Sequence, residues 1–494
     1  MVQQLPAIIV VTPLITSFLI FALGRRYQKA AYYPALAGLV GAFGCAVVIL
    51  FSVLEIGVID YRLGGWPPPW GIAYRIDHLN AVMLVLISFL SLLAAIHAQK
   101  SVERELPGRT TLFWALYLLL ITGLLGICIT GDLFNLFVLL EVASLAGYAL
   151  IAMGEDGALY ASFRYIIIGT IGASFYLLGV GYLYIATGSL NMADLAQLLP
   201  DLYSSKTILV GFAFILVGLG IKMALFPLHL WLPDAYTYAP SAVSAVVAPL
   251  MTKVMAYVTI RVLFTVFQAQ FSITLFHITD MMIWLGVLAI LFGALMALSQ
   301  NDFKRMLCYV IVAEIGYIIG GIGVANVTAV KGALFHIVND ALMMACLFFV
   351  AGQVVYRKNG HCIDDFEGLF RTMPVTAAVF TVGALAVIGV PPTCGFFSKW
   401  YLLLGGIEAK AWGFVAALFI CTLINIALFF RIFDQGLFTH ALVPASAGAG
   451  SSRNEAPLTM LLPASVLAMV IVLVGIFNQV IVNQLIGFMI PSGF

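Results

Sequence analysis

Charged side chains are scarce in this sequence, because Asp, Glu, Lys and Arg make up only 9% of its 494 residues. A soluble domain carries about 25% charged residues. Hydrophobic residues account for 63% of the chain. The formal net charge is +1, so the sequence lacks the positive excess of a nucleic-acid-binding protein. The composition therefore predicts an integral membrane protein that does not bind nucleic acid.

Cofactor and nucleophile motifs are missing as well. The seven cysteines are scattered, and no two of them form a C-x-x-C pair, which argues against a zinc or iron–sulfur site. There is no P-loop, no nucleophile elbow and no glycine-rich dinucleotide motif after a strand. We therefore expect no cofactor and no metal, and a chain that moves ions and is not itself an enzyme.

Long apolar runs fill most of the chain. A membrane-spanning helix needs about 20 apolar residues, and by this measure the sequence predicts an all-α polytopic membrane protein with about fourteen transmembrane helices. The predicted helices lie near 6–24, 32–54, 79–98, 110–129, 132–152, 159–187, 207–227, 241–266, 279–298, 306–326, 328–352, 374–397, 411–433 and 457–485.

Lysine and arginine are distributed unequally between the two sets of connecting loops. One set holds most of them, including Arg25, Arg26, Lys29 and Arg453. Loops rich in Lys and Arg stay on the cytoplasmic side. The bias predicts a protein of the inner (cytoplasmic) cell membrane with both termini outside.

Several ionisable residues nevertheless lie inside the apolar runs. A charge at membrane depth costs roughly 2.5–3.5 kcal/mol on insertion scales, so such residues usually face protein or water and serve a function. The main candidates for proton transfer are Glu141, Lys222, Lys253, His336 and Lys399. The auxiliary candidates are His229, Glu314 and Asp340. His336 and Asp340 are four residues apart, so they share one helix face.

Two of these lysines lie beside predicted helix breaks. Lys222 precedes Pro227 and Pro233, and Lys399 follows the pair Pro391-Pro392. Proline frees backbone groups, which a membrane tolerates only beside protein or a cavity. Two discontinuous helices, well separated along the chain, are typical of a transporter built from two repeats.

Most of the candidates also have a structural alternative, and that of His336 is a satisfied core histidine. Glu141 could be a carboxylate hydrogen-bonded between helices, and Lys222 and Lys253 could be fixed counter-ions. Lys399 could extend its amine to the membrane surface, and His229 could cap a broken helix. His97 lies near the end of the third predicted helix, so we assign it an ordinary structural role.

The motifs around these residues resemble those of a known family, the antiporter-like membrane subunits of respiratory complex I and of multi-subunit Mrp cation/proton antiporters. Within it, the Mrp antiporters' D subunit is the most similar, on the loop motifs Leu63-Gly-Gly-Trp-Pro-Pro-Pro-Trp-Gly-Ile72 and Tyr74-Arg-Ile-Asp77. The matching stretches are Phe137-Val-Leu-Leu-Glu141, Gly220-Ile-Lys222, Pro227-Leu-His-Leu-Trp-Leu-Pro-Asp-Ala235, Pro240-Ser-Ala-Val-Ser-Ala-Val-Val-Ala248 and Pro391-Pro-Thr-Cys-Gly-Phe-Phe-Ser-Lys399.

This resemblance implies two inverted five-helix repeats that contain the broken helices, near 110–266 and 279–433. A three-helix segment, 1–109, precedes them, and a loop with the C-terminal helix, 434–494, follows. It implies no bound cofactor. It also implies that Glu141, Lys222, Lys253, His336 and Lys399 form a proton path along the membrane centre.

The sequence departs from the family pattern in the eleventh helix. Many relatives carry a second histidine four residues after the first, and then a lysine, where this chain has Asp340 and Met344. Either Asp340 replaces that histidine as a carrier and Glu314 adds a second acid, or this copy is a less active module.

The resemblance leaves several functions open. The first is the proton-translocating subunit of a multi-subunit antiporter that exchanges protons for sodium or another monovalent cation. It would assemble with other small hydrophobic membrane subunits in the lipid bilayer. The second is a proton-pumping membrane subunit of a complex I-like NADH dehydrogenase or a membrane-bound hydrogenase. The third is a module that energises bicarbonate uptake.

Overall fold

The computed structural model describes residues 2–24, 31–275, 278–437 and 454–490, most of them helical. Twelve of the described helices are long and apolar enough to cross a membrane. Two further segments are broken helices, so fourteen segments can span the bilayer. The predicted all-α polytopic fold is therefore confirmed. Arg25, Arg26, Lys29, Arg453 and most of the link 434–456 lie outside the described residues, and the orientation stays a prediction.

The chain begins with three long helices and one short hairpin. The helices are α1 (Leu5–Leu23), α2 (Tyr32–Ile56) and α3 (His78–Glu105). Between α2 and α3, β1 (Ile59–Arg62) pairs antiparallel with β2 (Ala73–Ile76). This hairpin is an addition to the predicted all-helical architecture.

Helix α3 is longer than its apolar run predicts. The run ends near residue 98, yet the helix continues through polar residues to Glu105. Polar side chains such as Gln, Lys, Glu and Arg favour helix as strongly as apolar ones do, so hydropathy alone underestimates the length. His97 consequently lies about two turns inside the helix and is fully buried.

The next stretch contains five membrane segments, the fourth of them broken. Its helices are α4 (Thr110–Ile129), α5 (Leu133–Ile151), α6 (Ala158–Thr187), the short α7 (Met192–Leu198), the broken pair α8 (Lys206–Lys222) and α9 (Leu232–Tyr238), and α10 (Ser241–Arg261). A π-helical turn, Val262–Val266, extends α10.

The following stretch repeats this order. Its helices are α11 (Ile278–Leu298), α12 (Phe303–Val324), α13 (Val327–Lys358), the short α14 (Leu369–Thr372), the broken pair α15 (Pro374–Ile388) and α16 (Cys394–Glu408), and α17 (Trp412–Leu437). The chain ends with α18 (Leu458–Ile476) and α19 (Asn478–Gln484). The single helix predicted for 457–485 is therefore wrong: Phe477 separates two helices.

Both helix breaks have a local cause. Helix α8 ends at Lys222, and the chain regains helical structure only at Leu232, after Pro227. Helix α15 ends at Ile388, where Gly389 has φ 90°, and α16 begins at Cys394 after the two prolines. Proline lacks an amide donor and clashes with the preceding turn, while glycine tolerates a positive φ. The predicted breaks are confirmed.

A matching pair of backbone bridges links corresponding points of the two stretches. Asp132, just before α5, bridges to Asn191 after α6, and Asp302, just before α12, bridges to Cys362 after α13. The backbone hydrogen bonds next to the bridges also correspond. Leu133 N donates to Leu190 O in the first stretch, and Phe303 N donates to His361 O in the second. The two-repeat division remains a prediction, and this correspondence supports it.

The centre of the molecule is formed by α10, α12 and α13. The most apolar windows of these helices are 100%, 94% and 94% buried, whereas those of α1 and α2 are 33% buried. Helices buried on all sides cannot face lipid. The central helices therefore present their ionisable residues to protein, and the outer helices shield them from the hydrocarbon.

Candidate functional site

The first group of ionisable residues lies between α5 and α8. Lys222 Nζ donates to Glu141 Oε1 at 3.2 Å, to Ser144 Oγ at 2.9 Å and to Tyr148 Oη at 3.4 Å. Lys222 is the last residue of α8, so the helix break places its amine opposite α5. The three acceptors match the three protons of an ammonium group, and the carboxylate balances its charge.

The second group is an ion pair between α10 and α13. Lys253 Nζ lies 2.9 Å from Asp340 Oδ2, and neither side chain has any exposed surface. Neither group has another hydrogen-bond partner among the described residues. Taking two charges out of water costs several kcal/mol for each ion. Asp340 therefore supplies the charge that makes burial of Lys253 tolerable.

The third group joins α12, α13 and α16. His336 Nε2 lies 2.5 Å from Glu314 Oε2, and Lys399 Nζ lies 3.6 Å from Glu314 Oε1. Glu314 and His336 have no exposed surface, and the Lys399 side chain is 11% exposed. With a neutral imidazole, one carboxylate balances one ammonium, so this group also carries no net charge.

The surroundings of His336 suit both of its protonation states. A carboxylate only accepts hydrogen bonds, so His336 Nε2 donates to Glu314. The other ring nitrogen, Nδ1, lies 2.9 Å from Ser398 Oγ, which lies 3.2 Å from the Gly395 carbonyl. The Ser398 hydroxyl can donate to a neutral ring, or accept from a charged ring and donate to Gly395. A proton can therefore enter or leave Nδ1 without leaving a hydrogen-bonding group unpaired.

Lys399 lies at the second helix break and does not extend to the membrane surface. It belongs to α16, and its Nζ donates to the Val387 carbonyl in the last turn of α15. The carbonyls of a helix end lack intrahelical partners, so the break itself creates this acceptor. Nζ also lies 4.8 Å from the centroid of the Tyr317 ring. The helix break thus also supplies a hydrogen-bond acceptor for Lys399.

His229 is buried, but it lies apart from the three groups. Its ring is 2% exposed and stacks on Phe226 at 5.6 Å, with Phe292 at 5.0 Å. Neither ring nitrogen has a hydrogen-bond partner among the residues that the structure describes. The structure thus brings seven of the eight candidates into ion pairs and leaves His229 among aromatic side chains.

Hydroxyl groups are the part of the site that sequence reasoning missed. Ser144 and Tyr148 lie three and seven residues after Glu141, on the same face of α5, and this spacing could have identified them. Ser398 precedes Lys399 in sequence, but its contact with His336 depends on how α13 packs against α16, which the sequence alone does not specify. Within the described ranges no cluster of three or more His, Cys, Asp or Glu side chains could hold a metal ion.

The sequence of this region matches a known protein family. Residues 130–425 match the family described as NADH:quinone oxidoreductase/Mrp antiporter, transmembrane. The matched range begins just before α5 and ends within α17. It therefore contains all three groups of ionisable residues and both helix breaks.

Relatives of two kinds are similar over most of their length. The chain is 44% identical to a NADH-quinone oxidoreductase subunit N from Desulforudis audaxviator, covering 99% of both chains. It is 32% identical to the D subunit of a Na(+)/H(+) antiporter from Alkalihalophilus pseudofirmus, covering 80% of both.

A solved structure supports the same assignment. One chain of the membrane-bound sulfane sulfur reductase, an archaeal respiratory membrane complex, superimposes with a TM-score of 0.90 at 30% identity, covering 98% of this chain and 97% of that one. The recognition of the family from the sequence is confirmed, but a greater similarity to the D subunit is not, since the identity is 44% with the subunit N and 32% with this D subunit. The protein belongs to the NADH:quinone oxidoreductase/Mrp antiporter transmembrane family, as an antiporter-like membrane subunit.

Proposed function

We propose that this chain carries protons through the membrane centre along Glu141, Lys222, Lys253, His336 and Lys399, with Glu314 and Asp340 as further members of the path. The observation that carries the proposal is that these residues form three groups, each pairing an acid with a base, in which only Glu141 and Lys399 have more than marginal exposure. His229 has no polar contact among the described residues and is left outside this path.

The chemistry of a buried acid–base pair suits proton transfer. Close contact favours the charged forms of both partners, and separation in a medium of low dielectric constant favours the neutral forms. A small change in the distance between Lys222 and Glu141 is therefore enough to move a proton from one to the other. The helix break next to Lys222 allows such a change without disturbing the whole helix.

The second and third groups are close neighbours along α13. Asp340 and His336 are one helical turn apart, and Glu314 then connects His336 to Lys399. Lys222 and Lys253 lie on different helices and pair with different carboxylates. We propose that water connects the Lys222–Glu141 group to the Lys253–Asp340 pair, as ordered waters commonly do between buried polar groups.

The exposure of Glu141 points to a neighbouring protein chain. Its side chain is 24% exposed in the middle of α5, beside the exposed apolar residues Val138 and Leu145. A carboxylate directed at lipid is costly. We propose that small hydrophobic membrane subunits cover this face in a hetero-oligomeric complex.

The first candidate assembly is an antiporter that exchanges protons for sodium or another monovalent cation in the cell membrane. The similarity to the D subunit of a Na(+)/H(+) antiporter supports it. The chain would then be a transporter subunit and not an enzyme, and the ion gradient would drive the proton movement.

A redox-driven proton pump is the second candidate. The 44% identity to a protein named NADH-quinone oxidoreductase subunit N and the similarity to a sulfane sulfur reductase favour it. In such a complex, electron transfer in partner subunits would drive the same proton path.

The test uses the complete complex, purified from its native membrane in mild detergent and reconstituted in vesicles. Partner identity and the driving reaction separate the candidates: a pH gradient that collapses on adding sodium or potassium supports the antiporter, and acidification driven by an electron donor supports the pump. In either case Glu141→Gln should abolish proton movement while assembly remains intact. Unchanged proton movement in that variant would overturn the proposed path.

A further inference from the structure

A cavity of about 1040 Å³ lies between the β1–β2 hairpin and the body of the protein. The hairpin forms one side of it. The other sides come from α7, from the π-helical turn after α10 and from Phe488 to Ile490 near the end of the chain. The described residues that line it include none of the ionisable residues in the three groups. The cavity is therefore separate from the proposed proton path.

The hairpin is held in place by a ladder of backbone hydrogen bonds. Strand β1 pairs with β2 over four residues. Gly131 N donates to the Ala73 carbonyl of β2 at 2.9 Å, and Met192 N donates to the Gly131 carbonyl at 2.8 Å. The buried amide of Asn80 donates to the Arg75 carbonyl at 2.7 Å. The side chains on the cavity face of β2 therefore start from a fixed backbone.

Two arginines lie on the face of the hairpin that borders the cavity. In the strand register Arg62 lies opposite Ala73. Arg75 lies two residues further along β2, on the same face, because side chains alternate along a strand. Arg62 and Arg75 are thus diagonal neighbours, with Cβ atoms roughly 7–8 Å apart. Both side chains are exposed, and neither forms a hydrogen bond or ion pair with another described residue.

The charges around the cavity leave one positive charge in excess, when histidine is counted as neutral. Arg261 is matched by Asp77, since it donates to both oxygens of that carboxylate. Asp60 lies opposite Arg75 in the strand register. One carboxylate therefore faces two arginines, Arg62 and Arg75. This balance suits a ligand with a single negative charge.

The hairpin lies at the level of the lipid headgroups. Strand β1 begins three residues after α2 ends, and α3 begins two residues after β2 ends. Both helices are long and apolar enough to cross the membrane. The tip of the hairpin presents Trp66 and Trp70, which are 70% and 89% exposed. Tryptophan is enriched at the interface between membrane and water, so the cavity beside these residues lies within reach of lipid.

The lining of the cavity is amphipathic. The arginines border one side, and Phe264, Ile273 and Phe488 contribute apolar surface. A small soluble anion would gain nothing from this apolar surface. A phospholipid would use both parts, because its charged phosphate is joined directly to an apolar portion.

We propose that this cavity binds the headgroup of an anionic phospholipid, whose phosphate is held between Arg62 and Arg75. A guanidinium presents a planar fork of donors that matches two phosphate oxygens at once. The phosphate accepts hydrogen bonds from both arginines and offsets their mutual repulsion. The apolar part of the lipid packs on Phe264 and Ile273.

The test counts the lipids bound to the complete complex. The complex is purified from its native membrane, stripped of lipid in mild detergent and titrated with phosphatidylglycerol, and bound lipids are counted by native mass spectrometry. Phosphatidylcholine, which carries a phosphate but no net charge, is the comparison lipid. A separate titration uses inorganic phosphate.

Four variants separate the contributions. Arg62→Gln and Arg75→Gln each remove one guanidinium. Asp60→Asn removes the facing carboxylate and keeps both arginines. Lys206→Gln is the matched control, because Lys206 is exposed at the start of α8, close in sequence to α7, but does not line the cavity.

We expect each arginine variant to bind phosphatidylglycerol about 5-fold more weakly and the double variant about 30-fold more weakly. Lys206→Gln should match the wild type. Asp60→Asn should bind more tightly, because it removes a repulsive charge, and a gain in affinity cannot result from misfolding. Phosphatidylcholine should bind more weakly than phosphatidylglycerol to the wild type, and the difference should disappear in the double variant.

The outcomes are distinct. Weaker binding in the arginine variants, with tighter binding in Asp60→Asn and normal assembly, supports the lipid site. Equal affinity for phosphatidylglycerol in the wild type and the double arginine variant overturns it. Arginine-dependent binding of inorganic phosphate without such binding of the lipid also overturns it, in favour of a soluble anion. Glu141→Gln should bind the lipid normally, so a failure of the proton path and a failure of the lipid site are distinguishable.

Discussion

Lys253 and Asp340 form an ion pair 2.9 Å apart in which neither side chain reaches the surface. Removing one partner of a buried pair typically costs about 3–5 kcal/mol, because the remaining charge is left without compensation. We therefore expect Asp340→Asn to stop proton movement and to lower the yield of assembled complex. Vesicle transport assays and native gels measure the two effects.

The double variant Lys253→Met with Asp340→Leu provides the control for assembly. Apolar replacement of a whole buried pair is often neutral for stability, so the double variant should assemble better than Asp340→Asn while remaining inactive. Wild-type transport in Asp340→Asn would show that this copy does not use the pair.

Arginine at position 222 distinguishes a proton carrier from a fixed counter-ion. Lys222→Arg keeps the positive charge opposite Glu141, but a guanidinium does not release its proton in proteins. We expect the complex to assemble and proton movement to fall at least about 10-fold, as for the loss of a positioned acid–base group. If transport continues at the wild-type rate, Lys222 serves only to balance charge.

The Ser398 hydroxyl should matter because it serves both protonation states of His336. Ser398→Ala removes one hydrogen bond from Nδ1, worth about 0.5–1.5 kcal/mol, so proton movement should slow about 2- to 10-fold. Ser88→Ala is the control, since Ser88 is equally buried but its hydroxyl bonds only to backbone carbonyls among the described residues. Equal rates in the two variants would contradict the role assigned to Ser398.

Stability at one end of the bundle depends on Arg261 and Asp77. Arg261 donates to both carboxylate oxygens of Asp77, at 2.6 and 2.8 Å, and Asp77 caps α3. Burial raises the pKa of Asp77, but the Arg261 charge and the hydrogen bonds outweigh it and hold the pKa below its ordinary value. The stabilisation is therefore present at neutral pH and is lost as the pH falls through the lowered pKa.

We expect Arg261→Gln to destabilise the protein by about 2 kcal/mol, less than for a fully buried pair because Asp77 is partly exposed. Thermal unfolding in detergent measures the change. The double variant Asp77→Asn with Arg261→Gln should lose less stability than the sum of the losses in the two single variants. If the loss of stability in the double variant equals the sum of the two single losses, the Arg261–Asp77 contact contributes little.

The sequence predicts the membrane architecture well because the signals are local. Apolar runs specify the helices to within a few residues in most cases, and Pro227, Pro391 and Pro392 mark the two breaks. Errors arise where hydropathy is a poor guide, as at the polar ends of α3 and α13 and at the interruption at Phe477. At these places the backbone conformation does not depend on how apolar the residues are.

The ion pairing could not be read from the sequence in the same way. The free-energy cost of a charge at membrane depth identifies Lys253, Asp340 and Glu314 as unusual residues. It does not indicate that Asp340 faces Lys253 or that Glu314 lies between His336 and Lys399, since these contacts depend on how separate helices pack.

Asp234 has a mechanical consequence for the first broken helix. It lies in α9, and its carboxylate binds Arg164 of α6 at 2.5 Å and Arg305 of α12 at 3.2 Å. The second half of the broken helix is thereby anchored to both five-segment stretches. Because α9 is held by helices of both stretches, a change in the position of Lys222 relative to Glu141 has to be taken up in the non-helical chain between Lys222 and Leu232.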